Sequence, residues 1–175
     1  EVADATLVDA SDKPGRHLGP LISEGQWNKV QGLIQIGIDE GARLVAGGLG
    51  RPAGLNAGYF ARPTVFADVR NDMIIAQQEI FGPVLSMIPF EDEAEAIAIA
   101  NDSDYGLSGS VWTQDIDRAA DIAGQIRTGV VAVNSAAILD MASPFGGFKK
   151  TGIGRELGPE GFGPFTEIQS VLLPA

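Results

Sequence analysis

The chain has 175 residues, 45% hydrophobic and 20% charged, which is enough length and apolar content for one globular α/β domain with a real core. Its formal net charge of -11 speaks against nucleic acid or an anionic membrane surface as the main partner. The absence of cysteine excludes disulfides, thiolate metal sites and a cysteine nucleophile within these residues, and a single histidine, His17, cannot build a multi-histidine metal centre.

No metal is therefore expected, and His17 reads as a loop residue rather than a base. No apolar run reaches the roughly 18 residues of a membrane span, and no basic-then-apolar signal opens the chain, so the expected compartment is the cytoplasm. Glu1 in place of methionine suggests a processed or excised piece.

In chain order, residues 1–20 are turn-rich, with "SDKPG" as a turn. From Gln26 to Glu40, Trp27, Val30, Ile34 and Ile38 fall three or four apart and predict a helix stopped by Gly41. "ARLVAGG" reads as a short strand, "LGRPAGLNAG" as a surface loop, and "YFARPTVFADV" as two extended pieces around Pro63. "PVLSMIPF" predicts a buried strand, and "EDEAEAIAIAN" a helix with acids in its first turn, where the macrodipole favours them.

"LSGSVWT" is the next strand. Asp115 caps a helix through Ile126 whose inward face is Ile116, Ala119, Ala120, Ala123 and Ile126, and "GVVAVN" is a continuously apolar strand. Strand, helix and strand of this kind make a βαβ unit, so the expected fold is α/β, a parallel-sheet core with flanking helices. "TEIQSVLLP" is expected as a final strand with no hairpin partner beside it in sequence.

Two stretches invite a functional reading. "SPFGGFKKTGIGRELG", Ser143 to Gly158, is glycine-dense and locally basic, but it fits no Walker A loop. Gly152, Gly154 and Gly158 put the third glycine one residue too late for a dinucleotide fingerprint, and no buried strand precedes them. Two readings remain open on spacing: a tight surface excursion using glycine for positive φ, or a loop walling a ligand cavity with Phe145 as an apolar plate.

In "AQQEIFGPVL", Glu79 stands two residues before Phe81, and in extended chain both would point one way. A carboxylate accepting from sugar hydroxyls and a ring packing on a flat base could then share a ligand. On the residues alone, the plainer reading puts Phe81 in the core and leaves Glu79 solvated.

"QQEIFGPVLSMIPF", "ANDSDYGLSGSVWTQD", "TGVVAVN" and "SPFGGFKKTGIGRELGPEGF", in this order and spacing, resemble the C-terminal part of the aldehyde dehydrogenase superfamily. "GPLIS", "GARLVAGG" and "GYFARPTVF" extend the likeness over nearly the whole chain from Gly19. The resemblance implies that residues 1–175 are the C-terminal portion of a catalytic domain that oxidises an aldehyde to a carboxylic acid with NAD or NADP. In that family a cysteine thiolate attacks the aldehyde, hydride passes to the nicotinamide, and a glutamate-activated water hydrolyses the thioester. Nucleophile, general base and dinucleotide-binding half are all expected upstream, so no catalytic residue is expected here.

By the same resemblance, Glu79 matches the glutamate that holds the nicotinamide ribose hydroxyls, and Phe81 the aromatic beside the nicotinamide. Gln26 matches a position reaching the cofactor ribose in some members. Phe145 matches an aromatic of the substrate tunnel, and Ser135, Ile138 and Leu139 lie in the loop that shapes it, whose small apolar residues suggest an apolar aldehyde. Lys149, Lys150 and Arg155 are then structural or solvated. The final strand is expected to join subunits of a homo-oligomer. Two other classes stay open: a non-catalytic interaction module adding its last strand to a partner's sheet, and a nucleotide-binding domain without chemistry.

Overall fold

The computed structural model describes residues 1–174. Its contacts group into two compact units, Glu1–Phe90 and Glu91 onward.

The first unit opens with a single helical turn, α1 (Val2–Ala5), and is organised by α2 (Glu24–Asp39). Ser23 caps α2 by accepting from the Gln26 N–H at 3.2 Å, which starts the helix two residues ahead of the apolar periodicity. Gly41, at φ +86, stops it as expected. Val30, Leu33 and Ile34 form its buried stripe, and each contributes on the order of 1.5–3 kcal/mol by burial. Gly37 lets the helix close on its neighbours, since a Cβ there would meet Ile75 Cδ1 at 2.9 Å and Phe66 Cζ at 3.2 Å.

Strand β1 (Arg43–Ala46) pairs antiparallel with β2 (Thr64–Ala67), and β2 pairs parallel with β3 (Val84–Ser86). The short helix α3 (Ile74–Gln77) lies between β2 and β3 in sequence and packs on α2. Of the two extended pieces expected around Pro63, only the second forms a strand. "PVLSMIPF" does contain a strand, but it is half-buried rather than buried, with Leu85 56% exposed. Among the described residues β3 has a strand neighbour on one side only.

In the second unit, Asp92 caps α4 (Glu93–Asn101) by accepting from the Glu95 N–H, and Glu93 and Glu95 stand in its first turn. β4 (Tyr105–Gly106) is followed by β5 (Ser108–Val111), α5 (Ile116–Ala123) and β6 (Val130–Val133). β5 and β6 run parallel, Ser108 opposite Val130 through Val111 opposite Val133, so the expected βαβ unit is present. α5 ends at Ala123, capped by Gly124, rather than running through Ile126 as expected; its inward residue is Ala119, with Ile122 and Ala123 half-buried, while Ile116 and Ala120, expected inside, face outward. The true stripe runs 119, 122 and 123, the spacing of one helix face, and Ile126 lies half-buried in the turn beyond it.

β7 (Phe148–Lys149) pairs antiparallel with β4, and a 3₁₀ helix (Glu160–Phe165) follows. The architecture is thus α/β with mixed rather than purely parallel sheets: local periodicity identifies strands but does not orient them. Residues 166–174, expected as a final strand, join no ladder among the described residues; Ile168, Leu172 and Leu173 stand exposed, the first at 98%. An extended segment becomes a strand only when a partner supplies the other half of the ladder. No helix among the described residues is long and apolar enough to cross a membrane.

Candidate cofactor and substrate-loop site

The Glu79–Gly82 turn links α3 to β3. Ile80 is its anchor, buried in the core, whereas Phe81 is 69% exposed. The structure therefore reverses the plainer sequence reading: the core residue is Ile80, and the ring of Phe81 is presented outward. The chain is not extended through Phe81 either, because its φ is +52, a region bulky L-residues rarely occupy. Next to it, a Cβ on Gly82 would lie 2.6 Å from Val30 Cγ2, so this position on the α2 surface accepts only glycine without repacking.

Two side chains of α2 hold the turn's backbone. Gln26 Nε2 donates to the Ile80 and Phe81 carbonyls, both at 2.9 Å. Lys29 Nζ donates to the Glu79 carbonyl at 2.7 Å and sits 5.6 Å from the centroid of the Phe81 ring. The Glu79 carboxylate is exposed and takes part in no hydrogen bond or ion pair among the described residues. Both its oxygens are available as acceptors, beside an exposed aromatic face. An accepting carboxylate beside an exposed ring fits a ribose diol and a flat aromatic ring. Among the described residues no group of three or more His, Cys, Asp or Glu converges on a metal position.

The second cluster lies in the second unit. Asn134 ends β6 at φ +50, a conformation asparagine tolerates better than most residues. Its Nδ2 donates to the Thr113 carbonyl at 2.8 Å and its Oδ1 accepts from the Thr113 N–H at 2.9 Å, which locks the end of β6 to the chain leaving β5. Beyond this lock, Ser135 Oγ accepts from the Ala137 N–H at 3.0 Å. Asp140 accepts from Ser143 Oγ at 2.5 Å and from the Ala142 N–H at 3.1 Å, and these bonds, the Ser143 one foremost, hold its carboxyl below the ordinary value.

The loop folded in this way walls a cavity of about 250 Å³ with Val130, Ala132, Ala137, Ile138, Leu139 and Phe145 on its lining. Three of the four residues expected at a substrate tunnel, Ile138, Leu139 and Phe145, are brought together here; Ser135 is spent on the turn. Phe145 is fixed by a pair of backbone hydrogen bonds with Glu156, both 2.7 Å, and also borders a larger cavity of about 400 Å³ with Leu107, Gly146, Gly147, Thr151 and Arg155.

Both open readings of the glycine loop hold in part. Gly152 and Gly154 take positive φ, as a tight excursion requires, and the loop also walls the larger cavity. Its cations are occupied structurally. Lys149 Nζ donates to the carbonyls of Asn101 and Ser103, Lys150 pairs with Asp104, and Arg155 donates to the carbonyls of Gly147 and Gly154. His17 is likewise a loop residue, its Nε2 donating to the Ala10 carbonyl at 3.0 Å.

Sequence reasoning missed Lys29 and Asn134. The signal for Lys29 was present, since it stands three residues after Gln26 and directly before the buried Val30, on one helix face.

Comparison with known proteins gives the family. A 3-succinoylsemialdehyde-pyridine dehydrogenase from a Pseudomonas species is 55% identical over 156 residues, 89% of this chain and 32% of the relative. The crystal structure of a Mycobacterium tuberculosis aldehyde dehydrogenase complexed with NAD+ superposes with a TM-score of 0.94 at 58% identity, covering 98% of this chain and 35% of that one. A mutant aldehyde dehydrogenase C from Pseudomonas syringae, complexed with NAD+ and octanal, gives a TM-score of 0.88 at 45% identity over 91% of this chain and 33% of that one. The chain thus spans about a third of the length of the relatives it matches. The profile of the aldehyde dehydrogenase family matches residues 1–171, and the chain belongs to that family.

Proposed function

We propose that these residues form the C-terminal part of the catalytic domain of an NAD(P)+-dependent aldehyde dehydrogenase, working in the cytoplasm, with NAD+ the favoured cofactor. The observation that carries the reading is the Glu79–Phe81 turn: a carboxylate with both oxygens unengaged next to an outward-facing ring. Glu79 would accept from the two nicotinamide ribose hydroxyls, and Phe81 would pack beside the ring. Two of the similar structures are NAD+ complexes, which supports NAD+ over NADP.

When bound, the nicotinamide supplies a hydride acceptor for the aldehyde carbon, and water completes the acid. This chain's contribution is orientation and enclosure. Glu79 fixes the ribose, so that the hydride travels a short and repeatable distance, the effect that makes positioning worth many-fold in rate. Ile138, Leu139 and Phe145 give the substrate an apolar wall. With no cysteine among the 175 residues, we assign no catalytic nucleophile to them.

The substrate class is an apolar aldehyde. The lining of the smaller cavity supports it, as does the octanal in the Pseudomonas syringae complex. The exposed apolar residues Ile168, Val171, Leu172 and Leu173 support the further proposal that this segment becomes a strand between subunits of a homo-oligomer. The test is steady-state turnover by a full-length protein carrying this sequence. Aldehyde-dependent NADH formation with octanal is expected, at a higher kcat/KM than with a short carboxylate-bearing aldehyde. No NADH formation with any aldehyde would leave the binding or interaction module as the better reading.

A further inference from the structure

We propose that Gln26 is a positioning residue for the cofactor site: through its amide nitrogen it holds the left-handed turn that presents Glu79 and Phe81. The proposal rests on the reading of Glu79 as the ribose ligand. Three successive carbonyls, those of Glu79, Ile80 and Phe81, all accept hydrogen bonds from one face of α2. Lys29 takes the first. Gln26 takes the second and third through the two protons of a single amide nitrogen. With both protons engaged, that nitrogen has no donor left for a ligand.

The need for such a clamp follows from Phe81. At φ +52 its backbone pays a steric cost that glycine would not, and a residue stays in that region only when its surroundings over-determine it. A return to negative φ would turn the Phe81 carbonyl off Gln26. It would also shift the ring, and with it the neighbouring Glu79. The clamp is stiff because its base is stiff. Gln26 sits in the first turn of a 16-residue helix, its own N–H bonded to the Ser23 cap and its helix anchored through Val30, Leu33 and Ile34. Val30 completes the template from the same face, in contact with Gly82.

The test uses Gln26→Met, which keeps length and helix propensity but removes both donors, and Gln26→Glu, which sets an acceptor against two carbonyls. Deuterium uptake by peptides spanning residues 78–84 is measured in a full-length protein without cofactor, with far-UV circular dichroism as the check on folding. Both variants are expected to exchange at least ten-fold faster over this segment and at wild-type rates elsewhere. Gln26→Met should lower the single-turnover hydride-transfer rate while NAD+ affinity stays within three-fold. The double variant Gln26→Met, Phe81→Gly should recover much of the exchange protection, because glycine does not need holding at positive φ.

Unchanged exchange in both variants would overturn the proposal. So would unchanged exchange with NAD+ affinity lost ten-fold or more, which would make Gln26 a direct ligand. If exchange rises but Glu79→Gln leaves hydride transfer unaffected, the turn is held as proposed and the ribose reading is what fails.

Discussion

Replacing Asn134 with alanine tests whether the loop after β6 is registered by one side chain. Two losses are expected. The reciprocal pair with Thr113 disappears; both bonds lie at an exposed strand end, so roughly 0.5 kcal/mol each is the appropriate scale. Alanine must also occupy φ +50, which costs it about 0.5–1 kcal/mol more than asparagine. The sum is roughly 1.5–2 kcal/mol, local to the end of the β5–β6 pair. Asn134→Gly separates the terms, because glycine loses the bonds but not the backbone fit, and should cost about 1 kcal/mol. Native-state hydrogen exchange at the amides of Thr113 and Asn134 and along β6 gives the opening free energies directly. Equal costs for alanine and glycine would show that no backbone strain is stored at Asn134. A cost below about 0.3 kcal/mol for alanine would show that the loop is registered by something else.

Two further outcomes follow from the chain's composition and surface. Purified as residues 1–175 alone, the protein should give no aldehyde-dependent NADH formation with NAD+ or NADP+, since loss of a nucleophile alone costs many orders of magnitude; turnover above contaminant level would contradict the absence of catalytic residues. Light scattering behind size exclusion should show a dimer or larger species at tens of micromolar, and deleting residues 166–175 should shift it toward monomer or aggregate; a clean monomer before deletion would refute a subunit-joining role for Ile168 to Leu173.

Helices α2 and α5 were legible because a stripe repeating every three or four residues has one structural solution, whereas the single turns α1 and α3 are too short to show one. Val30 and Ile34 marked α2, and Asp115 behaves as the cap its position promised. The parallel β5–β6 pair was legible because a helix of crossover length separates two apolar runs. The antiparallel β1–β2 and β4–β7 pairs were not, since strand orientation depends on where distant chain returns: β4 and β7 are separated by about forty residues. The final segment has every strand propensity and no ladder, because propensity supplies only half of a pair.

At the proposed site, it was resemblance that pointed to Glu79 and Phe81. Spacing alone pointed to a buried ring, since neither the positive φ at Phe81 nor its exposure leaves a trace in local pattern. The hold of Gln26 on Phe81 joins residues 55 apart, which only the folded chain reveals.

The most direct measurement of the central claim is single-turnover hydride transfer by Glu79→Gln in a full-length protein, alongside NAD+ affinity. The amide keeps one acceptor and introduces donors where a diol must donate twice, so the nicotinamide should be bound but misplaced. The expected result is a hydride-transfer rate lower by on the order of 10–100-fold with affinity changed only a few-fold. A rate equal to wild type would contradict the assignment of Glu79, and with it the cofactor site.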